Sequence, residues 1–117
     1  MKRGEVYDAR LDPVAKIISI CEQHGSRPVV VVSRDAINAS SPIVSAAPCT
    51  TYRAGRRVYP SQVLVKAPEG GLQSDSLILG EQVRVLDKNR LFRRRGELEP
   101  STIARLNEAL RIAFDLE

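Results

Sequence analysis

The sequence is poor in the residues that build metal centres, disulfide frameworks and aromatic cores. Its 117 residues include no tryptophan, one histidine and two cysteines. Cys21 and Cys49 have no Cys-x-x-Cys spacing, and with a single histidine they cannot form an ordinary structural zinc site. The acidic residues are too scattered to predict a metal centre, which needs clustered ligands. We therefore expect a protein without metal or cofactor, with a core built from Val, Ile, Leu and Ala.

Long apolar runs and leader-like segments are also absent. No stretch approaches the roughly 18 apolar residues that span a membrane, and the charged start MKRGEVYDAR lacks the apolar region of a signal peptide. We therefore expect no membrane partner and a cytoplasmic location with reduced thiols. Lys and Arg outnumber Asp and Glu by 18 to 14, which gives a net charge of +4. This excess favours an acidic partner such as nucleic acid or an acidic protein, although it also serves solubility.

Short strand-like runs separated by turn signals predict one small, mainly β domain that spans residues 1–117. The runs are GEVYDA near the start, PVVVVS at 28–33, SPIVSAAP at 41–48, YPSQVLVKAP at 59–68, and SLILG with VRVLD within 76–87. The last two runs predict either two short strands or one strand bent at Gly80. PVVVVS is rich in β-branched residues, so we expect it to be buried on both faces.

The C-terminal tail has a helical pattern. Pro100 suits the first turn of a helix, and Ile103, Leu106, Leu110 and Ala113 recur at helical spacing. The sequence therefore predicts a small barrel or sandwich that is closed on one side by a C-terminal α-helix.

Two connections are long for so small a domain, at residues 11–27 and 50–58, and long loops of this kind are often functional. Arg27 stands directly before the stiff strand PVVVVS, which would fix its backbone as a pre-organised phosphate ligand requires. Thr50 would project a hydroxyl from another strand end. His24 and Cys21 are weaker candidates because neither has a catalytic partner at a suitable spacing, and Cys49 is expected to be a small buried hydrophobe.

Two arginine clusters are candidates for nucleic-acid contact. Arg53, Arg56 and Arg57 lie between two tyrosines, so phosphate contacts and stacking surfaces would be close together. A solvated turn explains the same residues equally well. The run Arg93–Arg95 fits a solvated edge strand better, with nucleic-acid contact as the alternative.

In combination, these segments resemble the MazF/PemK family of toxin endoribonucleases. The matching segments run in order through nearly the whole chain: KRGEVYDARLDP, EQHGSRPVVVVSRDAIN, SPIVSAAPCT, RRVYPSQVLVKA and GLQSDSLILGEQVRVLDKNRL. The segment AKIISIC lengthens the loop before Glu22 relative to the family pattern.

The resemblance implies an SH3-like or plasmid-maintenance-toxin barrel that forms a homodimer. Such proteins cut single-stranded RNA at short sequences without a metal, leave a 2′,3′-cyclic phosphate and a 5′-hydroxyl, and are neutralised by a cognate antitoxin. The family's catalytic residues fall on Arg27, Thr50 and Glu22. Its RNA-contacting positions fall on Gln23, Ser33, Glu81 and Gln82, beside the basic loop residues Arg53, Arg56 and Arg57.

A non-catalytic role is the alternative hypothesis. The same barrel occurs in gyrase-poisoning toxins, which act through protein contacts, and an inactive toxin could serve as a dimeric co-repressor with an antitoxin. The residues of the tail, RIAFDLE, do not single out such a role.

Overall fold

A computed structural model describes residues 1–11 and 26–117. They form seven strands: β1 (Glu5–Arg10), β2 (Ser26–Val31), β3 (Ile43–Thr51), β4 (Gln62–Val65), β5 (Ser76–Leu79), β6 (Arg84–Asp87) and β7 (Leu91–Glu97). Two α-helices accompany them, the short α1 (Asp35–Ser40) and the C-terminal α2 (Pro100–Phe114). The predicted mainly β fold with a C-terminal helix is confirmed. Within the described ranges, no helix is long and apolar enough to cross a membrane.

All strand pairs are antiparallel, and the order across the sheet is β4-β5-β3-β2-β1-β7. The nine-residue β3 connects the two halves of this sheet because it pairs with three other strands. Its first part pairs with β6, its middle with β2, and its last residues with β5. A single strand therefore holds the centre of the molecule together.

Two apolar clusters pack against the sheet, one on each face. Along β2 the side chains alternate, so that Val30 joins one cluster while Val29 and Val31 join the other. In β3, Ala47 and Cys49 belong to the first cluster, and Val44 and Ala46 to the second. Successive side chains of a strand point to opposite faces. The prediction that PVVVVS is buried on both faces is therefore confirmed.

Helix α2 closes the first cluster. Leu106 and Ala109 are buried in it, and Ile103 and Leu110 pack against it from the same helix face. The helix begins at Pro100, whose ring pre-sets the backbone for a first turn. It ends at Asp115, which adopts a left-handed conformation while the Leu116 amide donates to the Arg111 carbonyl. The sequence predicted this element and the apolar stripe on it.

The strand boundaries differ from the predicted ones where backbone pairing extends beyond the apolar run. β2 begins two residues earlier than expected, because Ser26 and Arg27 pair with β1. β3 continues to Thr51, since its last three residues pair with β5. The region of residues 76–87 forms two strands separated by the 3-10 turn Gly80–Gln82. Helix α1 was not predicted, because six residues are too few for a helical period to be recognised.

Candidate functional site: a cationic cleft

Arg27 lies within a strand and not directly before one. Arg27 pairs with Ala9 of β1, and after Pro28 the strand continues with three buried valines. The side chain is half-buried at the point where β2 enters the sheet. The backbone of Arg27 is therefore held by strand pairing as well as by the following apolar core, which is the rigidity that a pre-organised ligand needs.

Thr50 lies on the neighbouring strand, at the same end of the sheet as Arg27. The register of β2 and β3 pairs Val29 with Pro48 and Val31 with Ala46. Arg27 precedes Val29 by two residues and Thr50 follows Pro48 by two, so both lie just beyond the same end of this ladder. Thr50 is the penultimate residue of β3. The two residues that the sequence singled out therefore share one site.

Both residues line a cleft of about 610 Å³ at this end of the sheet. Its walls carry four arginines, Arg27, Arg53, Arg56 and Arg95, and several neutral polar side chains. Among the described residues that line it, none is an Asp or a Glu. Guanidinium groups keep their charge at any physiological pH. The cleft is therefore a strongly cationic site that favours a polyanion.

Cys49 lies in the wall of the cleft but is not a nucleophile there. The side chain is 2% exposed and belongs to the first apolar cluster. Burial raises the pKa of the thiol to about 12, and the nearby positive charge of Arg27 only partly offsets that effect. The thiolate is the reactive form of cysteine. The prediction of a small buried hydrophobe at this position is confirmed.

The basic loop divides between the cleft and the surface. Arg53 and Arg56 line the cleft from a turn in which the Arg56 amide donates to the Arg53 carbonyl at 2.9 Å. Arg57 instead lies over the ring of Tyr59, 5.1 Å from its centroid. A cation in this position is attracted by the negative face of the ring. Two of the three loop arginines are therefore available at the cleft.

Glu81 and Gln82 also diverge, although they are neighbours in the 3-10 turn after β5. Gln82 lines the cleft. The Glu81 carboxylate turns away and accepts hydrogen bonds from the Ser61 hydroxyl at 2.9 Å and the Gln62 amide at 3.0 Å. Ser61 directly precedes β4 and Gln62 is its first residue. Glu81 therefore connects the start of β4 to the 3-10 turn.

Ser33 lies at a polar junction away from the lining of the cleft. Its hydroxyl donates to the Asn38 side-chain oxygen and accepts from the Ser45 amide at 3.1 Å. Asn38 is almost fully buried, and its amide nitrogen donates to the Ser33 carbonyl at 2.8 Å. These contacts connect β2, α1 and β3, and the assignment of Ser33 to RNA contact stays a prediction.

The cleft also contains two polar residues that the sequence did not single out, and one arginine that it named only within a run. Gln73 and Ser74 line it from the segment before β5, and Arg95 lines it from β7. The polar run QSDS before an apolar strand is the available signal for the first two. Arg95 was part of a charge run, in which sequence alone could not tell the residue that reaches the cleft.

Four candidates lie outside the described residues: Glu22 and Gln23, with His24 and Cys21 beside them. Their assignments stay predictions. Within residues 1–11 and 26–117, no group of three or more His, Cys, Asp or Glu side chains is arranged to hold a metal ion.

The fold and the cleft define a class of protein. A small antiparallel β domain with a helix on one face has an arginine and a threonine on adjacent strands, in a cleft whose charge suits single-stranded nucleic acid. The model of the family described as the PemK-like, MazF-like toxin of type II toxin-antitoxin systems matches residues 2–114. The chain belongs to this family.

Curated relatives and solved structures agree with the family. The chain is 37% identical to endoribonuclease MazF9 of Mycobacterium tuberculosis over 121 residues, which cover 99% of this chain and 98% of the relative. It is 39% identical to endoribonuclease MazF of Staphylococcus saprophyticus over 116 residues, covering 99% and 92%. A mycobacterial endoribonuclease solved in complex with its cognate antitoxin superposes with a TM-score of 0.79 at 27% identity, covering 100% and 97% of the two chains.

Proposed function

We propose that this protein is a sequence-specific, metal-independent endoribonuclease that acts as the toxin of a toxin–antitoxin pair. The observation that carries the proposal is the cleft that holds Arg27 and Thr50 together, with three further arginines and no carboxylate among its described lining residues. Single-stranded RNA suits such a groove, because cationic side chains follow its phosphates while its unpaired bases remain accessible. Relatives at 37–39% identity carry the name endoribonuclease.

The proposed reaction is a transesterification at phosphorus within the RNA chain. The ribose 2′-oxygen attacks the adjacent phosphorus, the bond from phosphorus to the 5′-oxygen breaks, and the 2′-proton leaves with a base while the 5′-oxygen gains a proton. The products are a 2′,3′-cyclic phosphate and a 5′-hydroxyl. Negative charge builds on the non-bridging oxygens during attack, so fixed donors directed at those oxygens lower the barrier most.

Arg27 and Thr50 are the groups that would stabilise this charge. Arg27 supplies a permanent positive charge and a planar pair of donors, and Thr50 supplies a hydroxyl donor from the opposite strand. An arginine side chain has a pKa above about 12, so it is a poor proton acceptor near neutral pH. We assign Arg27 to stabilisation of the transition state. The base that takes the 2′-proton is Glu22 or a group in the substrate's own surroundings.

The partners follow from the same proposal. A cognate antitoxin with an acidic, flexible tail would neutralise the protein by occupying the cationic cleft, as the charge of the lining suggests. A mycobacterial relative has been solved with its cognate antitoxin. We further propose a homodimer that acts in the cytoplasm, where its messenger RNA substrate is found. The remaining assigned RNA contacts are Gln23, Ser33, Arg53, Arg56, Arg57, Glu81 and Gln82.

The test compares Arg27→Ala and Arg27→Lys with the wild-type protein on a pool of single-stranded RNA that contains all short sequences, in the presence of EDTA. We expect wild-type protein to release cyclic-phosphate ends. Arg27→Ala should cleave at least about a hundredfold more slowly, the usual loss for one oxyanion-stabilising donor. The cleavage rate of Arg27→Lys should lie between those of Arg27→Ala and the wild type, because lysine keeps the charge but not the planar pair of donors. Arg111→Ala is the matched control, since Arg111 pairs with Glu108 on α2 and does not line the cleft.

Two outcomes would overturn the assignment in different ways. Cleavage by Arg27→Ala at the wild-type rate would remove Arg27 from the mechanism. Absence of cleavage by the wild-type protein, with growth arrest retained on expression, would instead favour the non-catalytic hypothesis, in which the toxin acts through protein contacts.

A further inference from the structure

The arginine run of β7 is divided between the two faces of its strand. Arg94 forms an ion pair with Glu5 at 2.9 Å and a longer one with Glu97 at 3.4 Å. Arg93 and Arg95 both reach Asp8 of β1. Residues two apart on a strand share a face, and the residue between them points the other way. The run is therefore not a uniform solvated edge.

Asp8 is a single buried carboxylate shared by two guanidinium groups. The residue is 4% exposed. Its Oδ1 accepts from Nε of Arg95 at 2.6 Å, and its Oδ2 accepts from Nε of Arg93 at 2.8 Å. The same Oδ2 forms an ion pair with Nη2 of Arg93 at 2.6 Å. A buried carboxylate requires such partners. Two cations against one anion leave an excess of positive charge at this position.

Arg95 is the member of the pair that lines the cleft, and it is held at two points. Besides its bond to Asp8, its Nη1 donates to the Gly71 carbonyl at 3.1 Å. Its side chain is 16% exposed, against 60% for that of Arg93. Its third nitrogen, Nη2, makes no hydrogen bond within the part of the chain that the structure describes. A guanidinium fixed in this way loses little conformational freedom when it binds an anion.

We propose that Arg95 binds a phosphate of single-stranded RNA next to the cleaved bond, and that Asp8 is the residue that positions it. This inference rests on the proposed function. Strands β2 and β7 are separated by β1 alone, so their backbones lie about 10 Å apart, or two strand spacings. The phosphate held by Arg95 is therefore a flanking one, distinct from the phosphate assigned to Arg27. Arg95 contributes to substrate affinity and not to the chemical step.

The experiment measures kcat and KM of Arg95→Gln on a short RNA that the wild-type protein cleaves. It also measures binding of the 2′-deoxy copy of that oligonucleotide, which lacks the attacking hydroxyl, as a function of salt. We expect KM and the dissociation constant to rise about tenfold, the usual size for one hydrogen bond to a charged group, with kcat unchanged. The slope of log affinity against log salt should fall by about 0.7, the value for one phosphate contact on a single strand.

Matched controls come from the same strand. Arg94→Gln removes a charge from the opposite face, and Arg93→Gln removes the other partner of Asp8 while leaving both bonds of Arg95 in place. Neither residue lines the cleft. Both variants should keep the wild-type KM and salt slope. If KM rises and the salt slope falls in these controls as much as in Arg95→Gln, the inference is overturned, because the effect would then be a general one of charge.

The role of Asp8 is tested by a double-variant cycle. If Asp8 acts through Arg95, Asp8→Asn should raise KM in the wild-type background but add nothing to Arg95→Gln. Additive effects on KM would show that Asp8 does not act through Arg95. If Asp8→Asn does not fold, Arg95→Lys replaces it: a lysine cannot donate to Asp8 and Gly71 as a fork does, so KM should still rise.

Failure of this inference is distinguishable from failure of the proposed function. Wild-type cleavage with an unchanged KM and salt slope in Arg95→Gln would refute the role of Arg95 alone. A wild-type protein that neither cleaves the RNA pool nor binds the deoxyoligonucleotides would refute both.

Discussion

Glu5 illustrates how a single side chain makes stability depend on pH. Burial raises the pKa of its carboxyl, but hydrogen bonds from the Lys2 amide, Arg94 and Tyr7 outweigh that effect, so the pKa lies below its ordinary value of 4.5. A group whose pKa is lowered on folding stabilises the protein above its unfolded-state pKa. That stabilisation is lost as the pH falls through the folded-state value.

Replacing Glu5 with Gln should therefore lower the free energy of unfolding by about 1 kcal/mol at pH 7, and the difference from wild type should shrink below pH 4.5. Urea unfolding at a series of pH values measures it. Glu97→Gln is the control, because Glu97 is 71% exposed and its contact with Arg94 is longer. A deficit for Glu5→Gln that is constant from pH 7 to pH 3 would contradict the explanation.

The candidate site also shows what residue-level reasoning can predict. Arg27 and Thr50 were identified because strand ends flanked by β-branched or small residues fix a side chain, and the pairing of β2 with β3 brings them together. The different orientations of Glu81 and Gln82 follow from the backbone of one 3-10 turn, and the position of Arg95 follows from pairing with a strand at the other end of the chain. Neither is encoded in local sequence.

At the scale of elements, the turn Glu69–Gly71 packs directly against β7. Gly71 has φ +73°, and a Cβ at this position would overlap the carbonyl oxygen of Arg95 in β7. Glycine therefore allows the turn to lie directly against the strand, where its own carbonyl meets the Arg95 side chain.

Gly71→Ala should destabilise the protein by about 3 kcal/mol, since left-handed strain of about 1–2 kcal/mol is joined by steric overlap. Gly55→Ala is a matched control: its φ is +89°, but an added Cβ would meet nothing within 4 Å. Gly55→Ala should lower the free energy of unfolding only by the left-handed backbone strain. Chemical denaturation of the two variants gives the comparison, and equal losses would show that the contact with β7 is unimportant.

The strands and the C-terminal helix were predictable because their apolar residues recur with periods of two and 3.6. The pairing of β1 with β7 was not, because it contains two register shifts, one after Val6 and one after Asp8. A shift of one residue exchanges the two faces of a strand. Sequence therefore indicated an edge strand at Arg93–Arg95 but could not assign each arginine to a face.

At the scale of the whole molecule, the exposed apolar side chains are the feature that a single chain leaves unexplained. Nine large hydrophobic residues are 40–62% exposed in the described part of the chain: Ile37, Ile43, Val58, Tyr59, Val85, Phe92, Ile112, Phe114 and Leu116. Tyr59 and Ile112 border the same surface depression, and exposed apolar surface that is contiguous commonly marks an interface. This surface is consistent with the homodimer that we propose.

Sedimentation velocity of the purified protein should therefore show a species of twice the chain mass at micromolar concentration, since burial of apolar area stabilises association. The fraction of this species should fall on dilution. Glu117→Gln, at the exposed C-terminus, is a control for charge effects on sedimentation. A single species at the chain mass throughout the concentration range would contradict the homodimer.

The ion pair between Asp8 and Arg95 joins residues that are 87 positions apart. A contact of this separation forms late, because the intervening chain has to be made and brought together first. β1 and β7 are the first and last strands of the fold. The arginine wall of the cleft therefore forms only when the two ends of the fold have come together.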